Sequence, residues 1–154
     1  MTPPHHARSG SAIAALTNMD AWETDLNLRL WCDGPHGQAQ ARHAYHNLLP
    51  DTEADRAWYM FETLVIKIVG TANHPLVRHA LGCNCVGSDE CVFVHLIRTA
   101  SDGHLNDAAL IATVLTGAEH IAILAGEVGS IARTFHAKRN SQSPAAAPNV
   151  VRLH

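Results

Sequence analysis

The chain carries few charges: Asp, Glu, Lys and Arg make up 16% of its 154 residues, well below the roughly 25% of an average globular domain. A surface this poorly charged favours self-association, so a homo-oligomer is expected, most simply a two-fold dimer. The formal net charge is −3 at pH 7. That balance works against the electrostatic attraction behind most non-specific nucleic-acid binding, and a protein partner is expected ahead of DNA. Long apolar runs are also missing. Lys67 interrupts the best candidate, and nothing approaches the ~18 residues of a membrane span. Residues 1–10 are polar, with Pro3, Pro4, His5 and His6, and lack the charged start and apolar stretch of a signal peptide. The expectation is a cytoplasmic, bacterial-type protein whose cysteines are reduced thiols or metal ligands.

No segment alternates apolar and polar residues with period two, no hairpin dipeptide sits between β-branched stretches, and no repeat recurs at a constant period. Gly-x-Ser-x-Gly, a phosphate loop and the dinucleotide glycine pattern are absent as well. Di-iron bundles use Glu-x-x-His steps, which put both ligands on one helix face. Three residues after Glu23, Glu53, Glu62, Glu90, Glu119 and Glu127 come Leu26, Arg56, Val65, Phe93, Ala122 and Ser130, so that pattern is missing too. Glu62, Glu119, His120 and Glu127 remain either as an oxygen-and-imidazole centre or, more plainly, as a solvent-facing stripe.

Histidine is abundant. Its 12 copies outnumber the 11 Lys and Arg together, which makes the net charge steeply pH-dependent below about pH 6.5. Apolar residues recur with helical spacing between a flexible N-terminal segment at 1–12 and a Ser-, Pro- and Ala-rich flexible tail at 140–154. The fold class is therefore all-α: a single domain over 13–139, built as a compact bundle of roughly five to seven helices with short connections. Met19, Trp22, Leu26 and Leu30 mark a first helix ending near Asp33-Gly34-Pro35. A second runs from about Gly37 to Leu49, stopped by Pro50. The third begins at a Thr52/Asp55 cap signature and carries Trp58, Phe61, Val65, Ile68 and Ala72 on one stripe. Tyr59, Ile66 and Val69 add a second apolar side, which predicts a central position. Pro75 is expected to start a short helix to Leu81, followed by helices from Ser88 to about Ala100, from Leu105 to Leu115 and from Ala118 to about Ala137.

Chemistry is concentrated at 83–95, where Cys83, Cys85, Cys91 and His95 fall within one short stretch. Ser88 reads as an N-cap, with Asp89 and Glu90 at the positive end of the helix dipole. Cys91 and His95 are then one turn apart on one face. Cys83 and Cys85, between Gly82 and Gly87, could fold back over the helix start. A Cys3His set results, which suits a closed structural zinc site. Two other readings stay open: a redox-active Cys83/Cys85 dithiol, or thiols that serve only as small buried apolar groups. His79 lies four residues before Cys83, so a Cys–His pair is a further possibility.

Residues 118–136 have some features of a helix-turn-helix unit, with Gly126 four after Ala122 and Arg133, His136, Lys138 and Arg139 following as possible phosphate contacts. Glu127 falls where such a turn buries an apolar side chain. The alternative is one amphipathic helix whose Gly126 and Gly129 permit a close helix crossing, across a dimer axis or elsewhere. Taken together, the sequence predicts a small soluble binding or regulatory protein of adaptor type that is not an enzyme. A DNA-binding regulator and a cysteine-based redox sensor or thiol enzyme are the alternatives.

Overall fold

A computed structural model describes residues 19–142, which form six helices: α1 Met19–Cys32, α2 Pro35–Leu48, α3 Asp51–Gly70, α4 Ser88–Ser101, α5 Leu105–Leu115 and α6 Ile121–Gln142. No strand occurs among these residues, only an isolated bridge between Ala72 and Thr116. The α1–α2 corner is set by its sequence. Gly34 adopts φ 97°, a left-handed conformation that glycine takes up readily. Pro35 then opens α2, where its fixed φ suits the first turn and its missing N–H costs nothing.

α3 buries Trp58, Phe61, Val65 and Ile68 of the predicted stripe together with Ala54, Ala57 and Leu64, while Ala72 lies beyond the helix. Its second apolar side does not find a neighbour. Tyr59 is 68% exposed and Ile66 52%; α2 and α6, the main neighbours of α3, leave them uncovered. The helix with neighbours on every side is instead α6, which packs against all five others, while α4 packs against α1, α5 and α6 and buries Phe93, Val94, Leu96, Ile97 and Ala100. Tyr45, Trp58, Phe61 and Phe93 link α2, α3 and α4 in a chain of ring contacts, with centroids 6.1, 5.9 and 6.3 Å apart. Separations of this size suit offset and edge-on aromatic packing.

Three further expectations are corrected. α4 starts with Ser88 as its first helical residue and Gly87 at the cap position, without a side-chain cap bond from Ser88; likewise Pro50, not Thr52, precedes α3. Residues 75–80 are not helical, for reasons that lie in the site described below. Residues 140–142, expected in the tail, complete α6, while the expected loose ends at 1–12 and 143–154 lie outside the described residues.

Residues 118–136 do not form two helices and a turn: from Ile121 onward they belong to one unbroken helix. Its glycines meet α4 within the same chain and not across a dimer axis. A Cβ on Gly129 would lie 2.6 Å from Ser101 Cβ and 3.0 Å from the Ile97 carbonyl oxygen, whereas one on Gly126 would stand 3.2 Å from the Ala100 oxygen. Gly129→Ala should therefore destabilise the fold by about 1–3 kcal/mol through overpacking. Gly126→Ala should change stability by less than about 1 kcal/mol, because helix propensity offsets the tighter contact. Urea unfolding of the two variants checks the order, and equal effects would contradict the crossing.

Candidate functional site

The loop between α3 and α4 is organised from below by a buried guanidinium. Arg29 of α1 is 1% exposed and Glu90 of α4 is fully covered. Arg29 Nε donates to Glu90 Oε1 at 2.6 Å and Nη2 to Glu90 Oε2 at 3.3 Å. Nη1 donates to the carbonyls of Ala80, at 3.0 Å, and Cys83, at 2.7 Å, and Nη2 also donates to the Cys85 carbonyl. Every N–H of the guanidinium is thus used. Glu90 is equally full: besides Arg29, Oε1 accepts from the His79 N–H at 3.3 Å and Oε2 from the Gly87 N–H at 2.6 Å.

The same bonds explain why residues 75–80 are not a helix. In a helix starting at Pro75 the His79 N–H would pair with the Pro75 carbonyl, but here it belongs to Glu90. Asp89 takes the neighbouring donor, accepting from the Val77 N–H at 2.7 Å, with His74 Nε2 3.1 Å from both its oxygens. The two acids of the first α4 turn, expected to serve the helix dipole, are spent on the loop in front of it.

Cys83 and Cys85 do fold back over the start of α4. It is their carbonyls that converge, on Arg29. All four cysteines are free and half-buried. The Cys91 thiol is pushed up by burial and then by the charge of Asp25; the Cys32 thiol is pushed up by burial, with Arg78 opposing. His95 is exposed on α4. Among the described residues no three His, Cys, Asp or Glu side chains are grouped as a shared metal ion requires. One pairing is present: Cys83 Sγ lies 3.6 Å from His79 Nδ1, brought there by a turn in which the Cys83 N–H donates to the Ala80 carbonyl. The Cys85 N–H also donates to Cys83 Sγ, at 3.4 Å.

Elsewhere, Glu119, His120 and Glu127 are exposed and Glu62 is half-buried, which is the solvent-facing arrangement. Arg133 pairs with Asp102 and Lys138 with Glu53 at 3.3 Å, so two of the cations considered for phosphate contact are committed within the chain. A cleft of about 400 Å³ opens between α3 and α6, lined by Leu49, Glu53, Arg56, Met60, Glu127 and Ile131 among others. Comparison with known protein families, with curated proteins and with solved structures finds no match.

Asp25 is the third member of the buried charge group. Arg29 Nε is 3.1 Å from its Oδ2, but that N–H is directed at Glu90, and neither Asp25 oxygen accepts a hydrogen bond among the described residues. Burial first, and then the neighbouring Glu90 charge, push the Asp25 carboxyl from its ordinary 3.8 up to about 7, against the opposing pull of Arg29. Between about pH 4 and pH 7 the folded chain therefore keeps a proton that the unfolded chain has lost. This contribution to stability is whole below pH 4 and is lost as pH rises to about 7. Asp25→Asn should flatten that slope and leave the variant more stable than the parent at pH 8, by roughly 2–4 kcal/mol. Urea midpoints at pH 4, 6 and 8 measure it; an unchanged slope would contradict the assignment.

Proposed function

We propose that this chain is a small, non-enzymatic binding module of regulatory or adaptor type, which acts through self-association as a homodimer in a reducing, cytoplasmic setting. The observation that carries the reading is the outer face of α5. Ala108, Ala112 and Leu115 face the bundle, while Leu110 is 69% exposed and Val114, one turn on, 52%. A helix that is apolar on both sides has its place between two layers, and here one of them is missing from the isolated chain. Tyr59 and Ile66 on the outer face of α3 add to the exposed apolar surface. Free thiols accord with a reducing compartment, and no helix among the described residues is long and apolar enough to cross a membrane.

Specific DNA binding has no comparable support, since the segment considered for it is a single helix with its Arg133 tied to Asp102. The test is mass by light scattering over a range of concentrations. The parent chain should be dimeric, and Leu110→Asp with Val114→Asp should weaken the dimer by at least about a hundredfold while leaving helix content unchanged, as expected for a central interface contact. A parent chain that stays monomeric at high concentration would overturn the reading, as would a double variant that dimerises normally.

A further inference from the structure

The Cys83-Asn84-Cys85 arch has features that burial of small side chains does not account for. Both of its flanking carbonyls are fixed on Arg29, so its backbone is held. The Cys83 sulfur is only half-buried and has two polar neighbours, His79 Nδ1 at 3.6 Å and the Cys85 N–H at 3.4 Å. Neither Cys32 nor Cys91 has a hydrogen-bonding neighbour of this kind at its sulfur among the contacts described. The His79 backbone is itself anchored on Glu90, which positions the imidazole independently of the thiol. Cys85 is only two Cα–Cα steps of about 3.8 Å from Cys83, so a bend at Asn84 suffices to bring their Cα atoms within the roughly 4.4–6.8 Å that disulfides span.

We propose that Cys83 and Cys85 form a dithiol oxidised by hydroperoxides, with His79 as the proton acceptor for Cys83: a modification site distinct from the self-association surface. With the imidazole proton on Nε2, Nδ1 takes the Cys83 S–H proton. The sulfur attacks the distal peroxide oxygen and the O–O bond breaks. Cys83 becomes a sulfenic acid, and the departing oxygen leaves as water, or as an alcohol from an organic hydroperoxide, after receiving a proton back from His79. The Cys85 thiol then attacks the sulfenic sulfur, forms the S–S bond and releases the second oxygen as water. Two thiols are oxidised by two electrons and one peroxide is reduced. Asn84 between them is exposed, so closing the disulfide bends the segment there and pulls on the Cys83 and Cys85 carbonyls that Arg29 holds.

The experiment exposes the full, reduced chain to equimolar hydrogen peroxide and follows it by intact mass and peptide mapping. The expected result is a loss of two hydrogens, with Cys83 linked to Cys85 before Cys32 or Cys91 is modified. Cys85→Ser should leave a Cys83 sulfenic acid that dimedone captures. His79→Gln, which keeps the anchoring N–H, should slow capture at least about tenfold with unchanged circular dichroism. Cys83 reacting no faster than Cys91, or a His79→Gln variant that reacts at the parent rate, would overturn the proposal.

Discussion

One guanidinium determines the conformation of a long stretch of this chain. Burying an ion costs several kcal/mol, and the cost is offset only when geometry is good and every remaining donor is satisfied. Arg29 meets that condition by drawing on two elements remote in sequence: the carboxylate of Glu90 at the start of α4, and three backbone carbonyls at 80, 83 and 85. Because those carbonyls must face inward, the loop cannot coil into a helix, and because Glu90 must face Arg29, α1 and the start of α4 are locked in register. Loop shape, helix start and thiol placement are consequences of one satisfied charge.

Asp25 completes the picture by being surplus. Arg29 and Glu90 are saturated by each other and by backbone, so a second carboxylate beside them has a cation at 3.1 Å but no aligned donor. Its preference for the neutral form makes the bundle sensitive to pH near neutrality. This is a different source of pH dependence from the many histidines. His46, for example, is raised first by its bond to Asp51 and sits in an exposed cluster with Asp55 and Arg42 between α2 and α3.

The helical scaffold was legible because its signals are local. The stripe Trp58, Phe61, Val65 and Ile68 and the turn residues Gly34 and Pro35 place α2 and α3 closely, and α5 runs over its predicted span. What periodicity could not supply was which helix lies at the centre: α3 is the more apolar to the eye, yet it is α6 that packs against every other helix. The charge group was hidden for a related reason. Asp25 and Arg29, four apart on a helix, look like any surface ion pair, and Glu90 in a first turn looks like a helix-dipole acid. Only the tertiary structure shows that the three meet in the dark interior. The cysteine cluster did mark the right loop, although the groups it brings to a common point are carbonyls. The low charge content also acquires a meaning, since Arg29, Arg42, Arg133 and Lys138 are each paired within the chain and Tyr59, Ile66, Leu110 and Val114 remain exposed among the polar residues of α3 and α5.

Amide hydrogen exchange at His79 and Gly87, in the parent chain and in Arg29→Lys, tests the central role of the guanidinium most directly. Lysine keeps the charge but lacks the fork that holds three carbonyls and a carboxylate together. The account predicts strong protection of both amides in the parent and its loss in the variant, while the amides of α3 and α6 stay protected. Protection at His79 and Gly87 that survives the substitution would show that the loop is held by something other than Arg29.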